Sequence, residues 1–175
     1  MPKILLLSDN HGYVDDAIMA HSAWADEIWH AGDWLNMDLL MALEKEKITV
    51  RGVWGNADGM ELRRIFPEHN KFTLEGVKFW MTHIGGYAGK INPSLKPELK
   101  MEMPNVFISG HSHMLRVGKD TAFGNMLCLN PGACGVQGFH QIRTALRFIV
   151  ANGLVQNLEI IEFGPKTVRS GPAKS

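Results

Sequence analysis

The sequence predicts an α/β protein built from two sheets with helices on their outer faces. Short apolar runs of strand length, of which Ile4–Leu7 is the first, alternate up to Gly110 with segments that have helical spacing. The remainder consists mainly of β-type segments separated by turn residues. We expect these segments to form a meander of four strands at 115–119, 126–130, 144–151 and 154–163.

The elements in the first two thirds of the chain follow from apolar periodicity and from their end signals. Asp15 and Asp16 suit a helix N-terminus, and Pro67 and Pro104 suit helix ends. The expected strands lie at 4–7, 26–31, 48–54, 71–74, 77–82 and 105–109. The expected helices begin near Val14, near Met37 with an end in the charged run 44–47, at Met60 and near Ser94.

Two turns and the C-terminus define the limits of the predicted domain. Glu75-Gly76 and Asn152-Gly153 lie between β-type segments and predict hairpins. From Gly164 the chain carries two prolines, serine and lysine, which predicts a mobile tail. We therefore expect a single domain over residues 1–163 and a tail over 164–175.

Composition excludes several classes of function. The 175 residues are 45% apolar and 21% charged, as in ordinary globular domains. Lysine plus arginine equals aspartate plus glutamate at 18 each, without a basic cluster, so we do not expect a nucleic-acid polymer as partner. No apolar stretch reaches membrane-spanning length, and the first apolar run is too short for a signal peptide.

The two cysteines, Cys128 and Cys134, do not form a disulfide framework. Together with the lack of a targeting segment, they lead us to expect a cytoplasmic protein. Cys134 is expected to be an ordinary loop thiol. The oligomeric state is left open, with a homo-oligomer among the alternatives.

Candidate metal ligands follow the ends of five apolar runs, each beside a glycine. If the runs are strands, their ligands collect along one sheet edge, where open α/β sheets bind ligands. Asp9 and His11 are two residues apart, so an extended chain would direct both side chains to the same side. The oxygen and nitrogen ligands suit a divalent transition ion. The candidate set is Asp9, His11, Asp33, Asn56, His83, His111 and His113.

Seven ligands exceed the number that one ion needs, so with one shared carboxylate they would serve two ions. Each residue alone has an ordinary alternative, since Asp9 could cap a helix and a buried histidine is often only hydrogen-bonded. The repetition of the pattern favours a metal centre. His30 is expected either to orient Asp33 or to be a buried strand histidine, and Asp58 could bind a loop backbone. The roles of His140, Arg143 and the 131–143 loop are left open.

The ordered blocks Asp9-x-His11, Gly32-Asp33, Gly55-Asn56-x-Asp58, His83 and Gly110-His111-x-His113 resemble the calcineurin-like metallophosphoesterases. The small size and Asn130-Pro131-Gly132 resemble the compact YfcE-type phosphodiesterase branch of that superfamily. The resemblance covers residues 3 to about 163. It implies a four-layer α/β/β/α sandwich of two mixed sheets, with the metals at one edge.

The resemblance also implies a mechanism. Asp9, His11 and His113 would bind one ion, and Asn56, His83 and His111 the other, with Asp33 bridging. Asp33, Asn56, His83 and His111 would be catalytic. The ions are expected to be manganese, with iron, zinc, nickel or magnesium as alternatives. A bridging hydroxide would attack a small phosphate ester in line, with phosphodiesters as the expected substrates.

Two departures from the family pattern bear on this expectation. Many larger relatives have a histidine, credited with protonating the leaving group, where this chain has Ala57. Ala133 stands where relatives usually have serine. The alternative function is a non-catalytic scaffold resembling the retromer subunit of the same fold. The seven candidate ligands favour the enzyme, because a scaffold does not need them.

Overall fold

Two five-stranded sheets pack face to face in the computed structural model, which describes residues 1–166. The strands are β1 (Lys3–Leu7), β2 (Glu27–His30), β3 (Thr49–Gly52), β4 (His69–Leu74), β5 (Val77–Thr82), β6 (Gly86–Tyr87), β7 (Lys90–Ile91), β8 (Val106–Ile108), β9 (Leu115–Asp120), β10 (Met126–Pro131), β11 (Ile142–Ala151) and β12 (Leu154–Pro165). The helices are α1 (Asp16–Ser22), α2 (Asp38–Lys45), α3 (Met60–Ile65) and α4 (Lys96–Glu102), with 3₁₀ turns at Pro93–Leu95 and Thr121–Phe123.

Both sheets are mixed. The first has the order β12-β11-β1-β2-β3 and the second β4-β5-β8-β10-β9, while β6 and β7 form a separate small hairpin. In the first sheet β1, β2 and β3 are parallel, and in the second β5, β8 and β10 are parallel. The remaining strands add antiparallel to these centres. This arrangement confirms the predicted α/β class with two mixed sheets.

The alternation of side chains along β1 explains the layering. Ile4 and Leu6 belong to the core between the two sheets, whereas Leu5 and Leu7 belong to the core under α1 and α2. All four are fully buried. A third core around Leu99 of α4 covers the outer face of the second sheet. Three cores between four layers give the expected α/β/β/α sandwich.

Both predicted hairpin turns are present. Glu75 and Gly76 have φ of 49° and 80°, and Asn152 and Gly153 have φ of 53° and 74°. Two successive positive φ values match the right-handed twist of the flanking strands, which explains glycine in each pair.

The predicted four-strand meander is wrong. β9 and β10 pair in the second sheet, but β11 and β12 pair in the first, so the chain crosses between sheets after Pro131. The reason is burial, since β11 pairs with β1 and places Leu146, Phe148 and Val150 between the sheets.

The end of the last strand and one small hairpin also differ from the prediction. Gly164 and Pro165 belong to β12, opposite Arg143 and Ile142, rather than to a tail. Residues 167–175 of the predicted tail lie outside the described residues. The β6–β7 hairpin had no counterpart in the prediction. No helix within residues 1–166 is long and apolar enough to cross a bilayer.

Arg143 links three parts of the fold, which answers the question that the sequence left open. Its side chain is almost fully buried; Nε donates to the Cys134 carbonyl at 2.7 Å, and Nη1 donates to Asp15 Oδ2 at 2.8 Å. The other carboxylate oxygen of Asp15 caps α1 by accepting from Ile18 N at 3.0 Å. The guanidinium lies over the Tyr13 ring. Arg143 therefore joins β11 to the start of α1.

We predict that Asp15→Ala lowers the free energy of unfolding at pH 7 by about 2–3 kcal/mol. The loss combines a helix cap, about 1 kcal/mol, with the missing partner of a buried guanidinium, about 1–2 kcal/mol. Burial raises the pKa of Asp15, but hydrogen bonds from Arg143 and Ile18 outweigh it, so the pKa is lowered. The stabilisation is therefore complete above the unfolded-state pKa and is lost as pH falls through the lower folded-state pKa.

Urea denaturation at several pH values measures this effect. Asp16→Ala is the matched control, because Asp16 is the exposed neighbour in the same helical turn and makes no cap. Equal losses in the two variants at pH 7 would refute the role of Asp15.

Candidate metal centre

The structure brings all seven candidate ligands together at one edge of the sandwich. They come from the loops after β1, β2, β3, β5 and β8, whose carboxyl ends share that edge. Two groups of three form, each with its ligand atoms within 4.8 Å of one another. The first group is Asp9, His11 and His113, and the second is Asp33, His83 and His111. Asn56 adjoins the second group through His83.

The first group is arranged around Asp9 Oδ1. This oxygen lies 3.2 Å from His113 Nε2 and 3.9 Å from His11 Nε2. The two Nε2 atoms are 3.2 Å apart. One cation between these three atoms would be bound by one carboxylate and two imidazoles.

The second group is arranged around His83 Nε2. This atom lies 3.3 Å from Asp33 Oδ2 and 3.1 Å from Asn56 Oδ1. The His111 ring stands edge-on to the His83 ring, with centroids 5.2 Å apart. Asp33 Oδ2 is also 3.7 Å from His11 Nε2, so it lies between the two groups.

The backbone that produces this convergence is left-handed rather than extended. Asp9 and His11 have φ of 53° and 44°, so the extended-chain reasoning for this pair is wrong. Asp33, His111 and His113 also have positive φ. Each such residue costs roughly 1–2 kcal/mol, a strain that concentrates at functional sites. Loop turns, not strand alternation, therefore aim the side chains.

The donor set fits divalent cations. Asp9 is fully buried; its Oδ2 accepts from Ser8 Oγ and from His111 N, but its Oδ1 has no hydrogen-bond partner. A buried carboxylate oxygen without a partner is costly unless a cation occupies the space that it faces. His83 Nδ1 donates to the Ala31 carbonyl at 2.7 Å, which leaves Nε2 as the ligand atom.

The electrostatics also favour positive charge at this point. Burial lowers the pKa of His83, but hydrogen bonding with Asp33 and the charge of Asp9 outweigh burial and raise it. Burial by itself would raise the pKa of Asp33, but hydrogen bonding with His83 outweighs burial, and the pKa is lowered. The two carboxylates thus attract a proton in the absence of metal, and the same field attracts a metal cation.

Glycines beside the ligands make room for them. A Cβ at Gly55 would lie 2.2 Å from Asp33 Oδ1, and one at Gly110 would lie 2.2 Å from Ser8 Oγ and 3.0 Å from Asp9 Oδ2. Such contacts would displace the Asp33 carboxylate at Gly55 and the Ser8 hydroxyl at Gly110. The glycine that follows several apolar runs in the sequence is therefore a packing requirement of the centre.

Asp58 and His30 support the centre through the backbone. The Asp58 carboxylate accepts from the amides of Asp33, Leu35 and Gly55, so it fixes the loop that carries Asp33. Burial raises its pKa. His30 is fully buried, and its Nδ1 accepts from Gly32 N rather than contacting the Asp33 carboxylate. Of the two alternatives for His30, the buried strand histidine is therefore the better description.

Sequence reasoning missed Ser8, whose hydroxyl is the donor to Asp9. Its position between the strand and Asp9 was the available signal, but serine is too common there to be decisive. Cys134 is fully buried, and burial raises its pKa to about 12, so the thiol is not nucleophilic. Ala57 contributes its amide, which donates to Asp33 Oδ1 at 2.8 Å.

His140 lies closer to the centre than an exposed loop histidine would. Its ring is 5.4 Å from the His113 ring, and its Nε2 donates to the Gly135 carbonyl at 2.9 Å. Burial lowers its pKa, so the ring is neutral at pH 7.

Comparison with known proteins gives matches by sequence and by structure. A "probable metallophosphoesterase" of Mycoplasma pneumoniae is 34% identical over 122 residues, which cover 65% of this chain and 69% of that protein. The structure of a novel archaeal phosphodiesterase matches with a TM-score of 0.71 and 20% identity, over 91% of this chain and 99% of the other. Vps29 of Entamoeba histolytica, solved with zinc, matches with a TM-score of 0.67 and 15% identity, over 93% and 99%. At these identities the structural likenesses show a shared fold.

The family model described as "Calcineurin-like phosphoesterase superfamily domain" matches residues 2–153. This match spans most of the chain and includes all seven candidate ligands. The chain therefore belongs to the calcineurin-like phosphoesterase superfamily.

Proposed function

We propose that this protein hydrolyses phosphate esters, phosphodiesters in particular, with two divalent metal ions. The observation that carries the proposal is the meeting of two carboxylate–histidine groups with buried carboxylates at one sheet edge, where Asp33 lies between them. Membership of the phosphoesterase superfamily supports hydrolysis. The fold shared with an archaeal phosphodiesterase is consistent with a diester substrate.

In this proposal Asp9, His11 and His113 would hold one ion, and Asn56, His83 and His111 would hold the other, with Asp33 available to both. Manganese is the proposed metal, because mixed carboxylate and imidazole ligands suit it. When bound, two such ions supply an activated water and charge neutralisation for in-line displacement at phosphorus.

The chain's own residues position and expose the site. Asp9 and Asp33 are buried, and their remaining oxygens are held by Ser8 and by the Ala57 amide. Asn56 and His111 are exposed on the open side. We infer that the phosphoryl group approaches over Asn56 and His111 and that a small ester fits this approach better than a polymer.

Neither Ala57 nor His140 is placed to act as a general acid that protonates the leaving group. Ala57 has no proton to donate from its side chain, and His140 is neutral with its Nε2 hydrogen directed to Gly135. General acid catalysis is typically worth about 10²–10⁴-fold. We therefore propose a preference for esters whose alcohols leave readily as anions.

The second candidate function is a protein-binding scaffold. The fold is shared with Vps29, which supports this alternative. Against it stands the strained backbone at five of the candidate ligands, which a scaffold has no reason to retain.

We predict that the purified protein hydrolyses bis(p-nitrophenyl) phosphate with manganese. Asp33→Ala and His83→Ala should each lower kcat by at least about 10²-fold, because charge stabilisation at the centre is lost. Release of nitrophenolate measures the rate, and circular dichroism checks the fold.

His21→Ala is the control for histidine removal. His21 lies on α1 and packs against Phe163 of β12, away from the candidate ligands. Its rate should match that of the unaltered protein. Lack of turnover with manganese, nickel, zinc and magnesium alike would favour the scaffold.

We predict that Asp9→Asn stabilises the metal-free protein by about 1 kcal/mol. The change removes a buried charge with an unpartnered oxygen, and the new amide can donate to His113 Nε2, which is 3.2 Å from Asp9 Oδ1. One manganese ion at a concentration of 100 Kd contributes about 2.7 kcal/mol, and the contribution of the ion assigned to Asp9 should disappear, while that of the second ion remains. Urea denaturation with chelator and with manganese measures both effects.

Asp120→Asn is the matched control. Asp120 is also buried, but its two oxygens accept from Gly89 N and Ala122 N, so this variant should be destabilised and should keep its response to manganese. A destabilised metal-free Asp9→Asn protein would contradict the prediction.

We predict that Ala57→His raises the activity toward esters with poor leaving groups relative to esters with good ones. The new imidazole would supply a proton donor, so kcat/KM for diphenyl phosphate should rise by about tenfold or more relative to bis(p-nitrophenyl) phosphate. Ala57→Asn controls for side-chain size. Equal changes for both substrates would show that position 57 does not govern leaving-group protonation.

A further inference from the structure

An open cleft of about 640 Å³ adjoins the candidate metal centre on the side of His111 and His113. Both histidines line the cleft, and so do Met114, Phe139, His140 and Gln141. Its volume falls within the range of small-molecule sites. The cleft is therefore continuous with the place where we expect the phosphoryl group.

Two large apolar side chains stand exposed in this cleft. The Phe139 side chain is fully exposed, and Met114 is 51% exposed. A single exposed apolar residue is ordinary, but two that line the same cleft beside a candidate active site form a surface suited to an apolar ligand.

The loop that presents Phe139 is anchored. Gly138 has φ of 118°, and a Cβ there would lie 2.1 Å from His113 Nδ1, so only glycine allows the loop to pass over this imidazole. Lys166 Nζ donates to the Gly138 carbonyl, and His140 Nε2 donates to the Gly135 carbonyl. Phe139 is thus presented at a defined place next to a candidate ligand.

The residues that line the cleft at Phe139 indicate that its ligand is an uncharged group. Within the described residues, the cleft is lined without a lysine, an arginine or a carboxylate. On the other side of the centre, a cleft of about 260 Å³ lined by Asn56 and His83 also contains Glu68, His69 and Asn92. A cationic group would find the Glu68 carboxylate in the second cleft, whereas the polar side chains of the first cleft are its histidines, Ser112 and Gln141.

We propose that the cleft at Phe139 and Met114 binds an apolar, preferably aromatic, ester group of the substrate. An aromatic ring would stack on Phe139 and contact Met114 while the phosphoryl group occupies the metal centre. This inference rests on the proposed phosphoesterase function and adds the chemical class of one ester arm.

The test compares the binding of phenylphosphonate and methylphosphonate to the manganese-loaded protein by isothermal titration calorimetry. Burial of roughly 60 Å² of additional apolar surface predicts about tenfold tighter binding of the phenyl compound. The ratio of the methylphosphonate Kd to the phenylphosphonate Kd should fall to about two or less in Phe139→Ala. In Met114→Ala this ratio should also fall, but by less. Met101→Ala, a change at an 85% exposed methionine on α4, should retain the full ratio.

The hydrolysis of bis(p-nitrophenyl) phosphate separates this inference from the function on which it rests. If the protein hydrolyses phosphate esters and the cleft binds the aromatic arm, KM for this substrate should rise about tenfold in Phe139→Ala. Selective phosphonate binding without turnover would uphold the apolar subsite and overturn hydrolysis. Turnover with a phenyl-to-methyl ratio near one would overturn the subsite and uphold hydrolysis, whereas failure of both phosphonates to bind would overturn both.

Analytical ultracentrifugation tests the competing occupant, a second copy of the chain. We expect the same sedimentation for the unaltered protein and for Phe139→Ala. A dimer that Phe139→Ala converts to monomers would show that the apolar surface is a subunit interface and would overturn the inference.

Discussion

The arrangement of the whole sheet edge depends on two buried carboxylates, Asp9 and Asp33, which share His11 and His83 as neighbours. Buried carboxylates require positive charge or several hydrogen-bond donors. Each of them receives donors on one oxygen, from Ser8 and the His111 amide or from the Ala57 amide, and directs the other oxygen toward imidazole nitrogens. In the proposed function, the carboxylate oxygens that face the imidazoles are therefore the atoms that would hold a cation.

The fold supplies the support for this site. Parallel strands in both sheets end at the same edge, so five loops meet there. Asp58 ties two of these loops together through three backbone amides, and glycines keep the space beside the carboxylates open. The strain of left-handed residues in the loops is balanced by the three hydrophobic cores beneath them, which hold the strand ends in place.

The two clefts beside the centre have different linings, and this difference is the basis for proposing which ester groups the site binds. Asn56 opens toward a cleft that contains Glu68, His69 and Asn92, whereas His113 opens toward Phe139 and Met114. Under the proposed function, a diester would place one arm in each cleft, which a monoester cannot do. Alanine at position 57 offers no side-chain acid, so under the same proposal the reaction would depend mainly on how readily the alcohol leaves as an anion.

The sequence by itself determined the strands that end at the candidate site, the two hairpin turns and the α/β class, and it singled out the seven candidate ligands that the fold brings together. These features are local, since each depends on a short apolar run followed by particular residues. Tertiary structure decided the rest. Leu146 and Phe148 send β11 to the first sheet because they bury best between the sheets, and the left-handed turns aim Asp9 and His11 where extended strands would not. The role of Arg143 depends on Asp15, and the placement of the Phe139 loop depends on His113, and only the fold brings such distant partners together.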